Sequence, residues 1–361
     1  MLRTLLLLLL ACSGALPATA LATPPLDASR QDEATAAMAV PEDLRQALAA
    51  LDLQRGGISE LDRVRRLFEF MTAEDGLALE YQEQPTYDVA GSYAQRRVNC
   101  LSFTMMFIAL ARSIGLDAYA QASADALAIR VVDDTLFRAR HVKAGVDIHG
   151  AQYTVDVGWR SVVAERRPQR IDDAQLVALL HNNNAVERLE RGDLATASAE
   201  IQAAMALDVD STTIWNNAGV IHWRSGRRDA AERAYLRVLD LERDHIGALG
   251  NLVGLYRASG QARLAHRYDK QLRLAQASDP FSQFLMAQDL MRLGAYDVAV
   301  SHYRRAIRLL PNEPGFHRSL AEAYEKLGNG RAARRALHHA LSLEQRKYAQ
   351  RSIPEAGPGS G

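Results

Sequence analysis

The spacing of apolar positions divides this chain into stretches with different periods. Residues 1–22 begin with Arg3, an uninterrupted apolar run from Leu5 to Leu10, and the small-residue site Ala18-Thr19-Ala20. That pattern predicts a cleaved secretion signal, since the run falls well short of the roughly 20 residues that span a bilayer. Helical spacing begins at residue 41 and covers 41–54 and 58–73, then the region around 86–95. The run NCLSFTMMFIALARSIG at 99–115 predicts a buried helix with Asn99 as N-cap and Gly115 as its stop. Beyond Gly115 the period drops to two. AYAQAS, ALAIRVV, HVKAGVDI and QYTVDVGW read as strands, with His149-Gly150 turning the last pair into a hairpin.

The C-terminal half repeats with a period of 34. Gly192, Gly226, Gly260, Gly294 and Gly328 keep that interval, and so do Ala197, Ala231, Ala265, Ala299 and Ala333. Ala204, Ala306 and Ala340 follow the same register, as do the small residues Ala185, Gly219, Ala287 and Ala321. The spacing predicts helical hairpins, each with glycine ending its first helix and alanine where the second crosses close to it. This resembles the tetratricopeptide repeat, in five units over about residues 178–347, the third being the weakest after its alanine. Such arrays stack nearest neighbours and present a concave face to partners. Asn183, Asn217 and Asn251 share one repeat position, where an amide can pair with an extended peptide backbone. Local structural work at that position is the alternative reading. Leu285 and Ser319 interrupt the series in the last two units.

Cys100 carries the candidate chemistry of the N-terminal half. The only other cysteine, Cys12, lies in the leader, so Cys100 has no internal disulfide partner after cleavage. Its place in the first turn of a helix, among unpaired amides, suits a thiolate. With His149-Gly150 as a two-residue turn, Ile148 opposes Ala151 and His141 opposes Gly158. Asp156 then shares a face with His141, one diagonal step away. Asp147 also shares that face but lies about 20 Å along the same strand. A thiolate, an imidazole and an orienting carboxylate suffice for acyl transfer, the thioester being resolved by water or by an amine. The backbone N–H of Cys100, with Gln95 or Tyr93 upstream, would hold the oxyanion.

A helix opening on cysteine and followed by an antiparallel sheet is the order of elements in papain-like and transglutaminase-like folds. The segment NCLSFTMMFIALARSIGLDAYA, His141 opening a strand and Asp156 in YTVD resemble the transglutaminase-like superfamily over roughly residues 60–160. The resemblance implies a Cys100 nucleophile, a His141 base and an Asp156 orienter. Two positions depart from it. Val98 stands where many members have glycine, and Val142-Lys143 follow the histidine where many have an aromatic.

The expected fold is therefore an α+β papain-like or transglutaminase-like domain at 41–175, followed by an all-α solenoid at 176–347. A signal (1–22), a polar tether (23–40) and a disordered tail (348–361) complete it. Basic and acidic residues balance at 43 each, so no charge excess points to nucleic acid. No HExxH, paired CxxC or glycine-rich phosphate loop is present, and neither metal nor cofactor is expected. The expected location is the bacterial periplasm or envelope. Leu9-Leu10-Ala11-Cys12 also resembles a lipobox, the one route to a membrane anchor. Two functions follow: an exported thiol enzyme acting on peptide or protein amides, or an inactive-headed adaptor whose repeats bind protein.

Overall fold

The computed structural model describes residues 28–132, 135–156, 161–164 and 169–351, with side chains over 30–122, 142–155 and 170–346. The leader, Cys12 and residues 352–361 lie outside the described residues, as do the side chains of His141 and Asp156. Part of the expected tether is ordered. Residues Ala28–Ala37 form helix α1, with Ala34 buried in the core and Glu33 paired to His181.

Helices α2 (Glu42–Ala49) and α3 (Glu60–Thr72) follow the predicted periodicity, each turning one face inward, Leu44 and Leu48 on α2 and Val64, Leu67 and Met71 on α3. Strands β1 (Glu80–Tyr81) and β2 (Arg97–Val98) pair in parallel on either side of α4 (Val89–Gln95). Helix α5 (Cys100–Ser113) is apolar on nearly every face and is buried from Leu101 to Ala111. Its ends match the sequence. Asn99 Oδ1 accepts the Ser102 amide at 2.9 Å. Gly115, at φ +80°, closes the other end, with Gly115 N–H bonded to Arg112 O and Leu116 N–H to Ala111 O.

Strands β3 (Asp117–Val132), β4 (Thr135–Ile148), β5 (Ala151–Asp156), β6 (Ser161–Ala164) and β7 (Gln169–Ile171) form an antiparallel sheet ordered β6-β5-β4-β3-β7. The β4–β5 hairpin has the expected register, from Ile148 opposite Ala151 to Ala144 opposite Val155. His149 and Gly150 both have left-handed φ (+52° and +83°), as a two-residue type I′ turn requires. The sequence was misleading at three places. AYAQAS and ALAIRVV are one strand, TLFRAR forms the first half of β4, and β6 and β7 carried no clear period. Adjacent Leu136 and Phe137 hide the alternation of TLFRAR.

Five helical hairpins follow: α6 (Asp173–Glu190) with α7 (Leu194–Leu207), α8 (Thr212–Arg224) with α9 (Arg228–Leu241), α10 (Ile246–Ala258) with α11 (Ala262–Ser278), α12 (Pro280–Arg292) with α13 (Tyr296–Leu309), and α14 (Pro314–Lys326) with α15 (Gly330–Arg351). Each period-34 glycine follows a first helix with φ between +71° and +78°, a backbone state that glycine adopts without strain. At Gly226, for example, its N–H bonds to Trp223 O and the Arg227 N–H to His222 O, satisfying the last carbonyls of α8. The in-phase alanines 197, 231, 265, 299 and 333 are all buried where the helices cross.

The expected boundary at 175/176 is not a break in packing. Helix α6 begins at Asp173, and one apolar core runs without interruption from Ala34 through α5 and the sheet to Ile221 on α8. Among the described residues no helix is long and apolar enough to cross a membrane.

Candidate functional site

Cys100 is the first residue of α5, a free and half-buried thiol. The chain before it is firmly held. Val98 is buried in β2, where extended backbone suits valine as well as glycine, and the Gln82 amide bonds to its carbonyl at 2.9 Å. The cap residue Asn99 also donates from Nδ2 to Thr86 Oγ1 at 2.8 Å. Thr86 in turn donates from its amide (2.9 Å) and hydroxyl (3.2 Å) to Glu187 Oε1 on α6. All three side chains are buried, so a polar relay ties the start of the thiol helix to the first repeat hairpin. Burial pushes the Glu187 carboxyl above its ordinary range, and the two bonds from Thr86 only partly oppose it.

The structure brings the backbone of His141 near this helix. Thr104, one turn on from Cys100, donates to the carbonyl of Val142 at 3.2 Å. The register shift between β3 and β4 falls there, with Ala122 opposite Val142 but Leu127 opposite Arg140. Val142, Ala144, Val146 and Ile148 are the buried series of β4 against the apolar core, while Lys143 and Asp147 are half-exposed. Asp156 ends β5, paired with Ser161. How the His141 and Asp156 side chains lie against Cys100 is outside the described residues. Of the upstream oxyanion candidates, Gln95 is exposed at the end of α4, and Tyr93 is half-buried with the Arg96 guanidinium 4.6 Å over its ring.

A cavity of about 640 Å³ opens beside the relay, between α1, residues 85–88 and α6. His181 stands at its wall, bridging Glu33 of α1 (3.0 Å) and Glu200 of α7 (2.6 Å). The hydrogen bond to Glu200 holds this imidazole above its ordinary pKa; burial pulls the other way and is outweighed.

In the array, Asn217 Nδ2 donates to Asn182 Oδ1 at 2.9 Å, and Asn251 Nδ2 to Asn216 Oδ1 at 3.1 Å. These are rungs between successive first helices, so both amides do structural work in the stack. Asn183 is half-buried on α6. The sequence reading missed Asn182 and Asn216, although they are also 34 apart and immediately precede the singled-out series. It also missed Thr86, Glu187 and His181, which carry no spacing signal. No group of metal-ligating side chains is present among the described residues.

Two family models match the array: one described as a tetratricopeptide repeat at residues 212–245, and one as a TPR repeat at 287–328. No curated protein matches the chain. Solved structures of MamA are similar. One from MSR-1 is 20% identical, covering 48% of this chain and 99% of that one with a TM-score of 0.26. One from Desulfovibrio magneticus RS-1 is 18% identical, covering 47% and 96% with a TM-score of 0.27. The family models and the hairpin geometry coincide, and the C-terminal half of this chain is an array of tetratricopeptide repeats.

Proposed function

We propose that the chain is an adaptor, exported by its leader, whose tetratricopeptide array binds a protein partner while the N-terminal domain serves as a fixed head. The array itself carries this reading, because stacked helical hairpins present an extended inner face that recognises proteins rather than small molecules. Gln288 on α12 and Glu322 on α14 are exposed at one repeat position of that face. The test is affinity capture from envelope extracts with the mature chain, compared with the double variant Gln288→Arg, Glu322→Arg. Capture of a partner by the first and its loss by the second is expected. Equal capture by both, or none by either, refutes the reading.

A second reading is acyl transfer by Cys100, in keeping with the transglutaminase-like resemblance. It is supported by the half-exposed free thiol at a capped helix start and by the bond from Thr104 to the strand carrying His141. In it, the Cys100 thiolate adds to an amide carbonyl and His141 passes the thiol proton to the departing amine. Asp156 orients the imidazole, and water or a second amine then releases the acyl group. The alternation of β4 weighs against it. The buried series toward the core is Val142, Ala144 and Val146, so the register shift beside His141 must turn that position round for the triad to close. An uncharged alkylating reagent tests this reading. Fast modification of Cys100 that is abolished in His141→Ala supports it; equal rates in both proteins end it.

A further inference from the structure

We infer that the groove between α13 and α15, on the side of the array turned away from its inner face, is a docking site for an acidic segment of a protein partner. The cavity there measures about 500 Å³. Its floor is apolar, formed by Ile307 of α13, Leu320 and Tyr324 of α14, and Ala332 and Ala336 of α15. Its walls are basic: Arg304 and Arg308 on α13, Arg335 and His339 on α15, and His317 near the start of α14. Among the described residues no carboxylate lines it. At about 3.6 residues per turn, Glu322 falls on the far side of α14 from His317, Leu320 and Tyr324. The groove is therefore separate from the face that carries Gln288 and Glu322. The inference goes beyond the inner-face reading and does not rest on it.

The basic walls have no counter-charge. Among the described residues no carboxylate pairs with Arg304, Arg308 or Arg335, and Arg304 lies instead 5.7 Å over the Tyr324 ring. Arg304 and Arg308 stand one turn apart on α13, as Arg331 and Arg335 do on α15, a spacing at which like charges repel. His339 meets His317 edge-on, with ring centroids 4.4 Å apart. Partial desolvation, and then repulsion from His317, Arg346 and His338, hold its imidazole below the ordinary pKa. The equivalent grooves lack this set. One repeat earlier the four wall positions hold Lys270, Leu274, Ser301 and Arg305; two repeats earlier they hold Leu236, Asp240, Arg267 and Gln271. Residues 304–346 contain nine Lys and Arg against four Asp and Glu, in a chain that balances at 43 each. A polynucleotide or a lipid surface would need a broad basic field. Here exposed Glu325, and Glu344 paired with Arg318, stand outside the groove and confine that field to an apolar-floored cleft. An apolar side chain flanked by Asp or Glu satisfies floor and walls together, since guanidinium forks grip carboxylates.

The probe is a fluorescein-labelled peptide with one tryptophan between pairs of glutamates, titrated with the full chain and read by anisotropy. Saturable binding is expected, weakened roughly tenfold or more in the double variant Arg308→Glu, Arg335→Glu. Both arginines are exposed, so the fold does not depend on them. Ala336→Trp fills the cavity with every charge kept and should also weaken binding about tenfold. No saturable binding, or equal binding by either variant, overturns the inference. So does equal binding of a peptide with lysines in place of the glutamates. Displacement of the peptide by equimolar inorganic phosphate, or by phosphatidylglycerol vesicles, would make the groove a phosphate site and overturns it likewise. Gln288→Arg, Glu322→Arg should bind the peptide as the unaltered chain does. Loss in that variant alone would place the peptide on the inner face, ending this inference and leaving the inner-face reading intact.

Discussion

Replacing Thr86 by valine isolates the joint between the thiol helix and the array. The side chain keeps its volume, so no cavity opens, and the Thr86 amide keeps its bond to Glu187. Two bonds disappear. The Asn99 amide loses its 2.8 Å acceptor and retains only the Glu83 carbonyl at 3.4 Å, and the Glu187 carboxyl loses the hydroxyl donor at 3.2 Å. A buried bond of this kind contributes about 1 kcal/mol, slightly more when its acceptor is a carboxylate. Apolar burial of the new methyl returns a fraction of that. The expected net loss is roughly 2 kcal/mol, confined to the core shared by the head and first hairpin.

Hydrogen exchange at the Ser102 and Phe103 amides reads this joint directly, because Asn99 accepts both, through its side chain and its carbonyl. A loss of about 2 kcal/mol corresponds to roughly thirtyfold faster exchange where reclosing is fast and the rate follows the opening equilibrium. Asn99→Ala should cost about 1 kcal/mol more than Thr86→Val, since it also removes the cap. The double variant should fall short of additivity by about 1 kcal/mol, the coupling of the shared bond. Exchange within threefold of wild type in Thr86→Val, or strict additivity, would refute the relay.

Three further outcomes are expected. Gly219→Ala places its methyl inside the Tyr235 ring and should destabilise by about 1–2 kcal/mol in urea unfolding; Gly250→Ala meets nothing within 4 Å and should stabilise by up to about 1 kcal/mol, so equal signs would refute the packing argument. The raised pKa of His181 means that its bridge from α1 to α7 is complete below the imidazole's ordinary value near 6.5 and weakens as pH climbs through the folded value. Tryptic cleavage at Arg30 should therefore quicken on the alkaline side in the native protein, and His181→Gln should abolish that pH dependence. Glu187 has the opposite sign: its ionisation, disfavoured by burial, lowers stability as pH rises above the ordinary carboxylate value. Glu187→Gln keeps an acceptor for Thr86 and should flatten that decline in pH-dependent urea midpoints.

What the sequence revealed, it revealed where geometry imposes a residue type at a fixed interval. A left-handed C-cap requires glycine and a close helix crossing requires alanine, so five repeats were legible from ten positions. The β4–β5 register was legible because a two-residue turn fixes it, and the limits of α5 because Asn99 and Gly115 are strong terminators. The Thr86–Glu187 joint was not legible, since a single threonine meeting a single glutamate 101 positions away has no period. Nor was α1, whose polar residues concealed a helix that is held by buried Ala34, half-buried Ala37 and the Glu33–His181 pair. The asparagines were only half legible. Their spacing showed a shared position, but not that each reaches back to the residue preceding its equivalent in the repeat before.

The head and the array share more than a covalent link. A repeat array is a chain of nearest-neighbour interfaces, and its first hairpin has a bare outer side that must be capped. Here α6 starts five residues ahead of the repeat register at 178, and those residues, including buried Ala174, Leu176 and Val177, pack into the core that contains α5. Arg112 at the end of α5 pairs with Asp173 at the start of α6, and Glu187 meets Thr86 further along. The head is thus the array's N-terminal cap, and the array completes the head's core. Whatever Cys100 does, its helix cannot loosen without loosening the first repeat, so a partner bound at the first hairpin and a ligand at the thiol would act on one shared core.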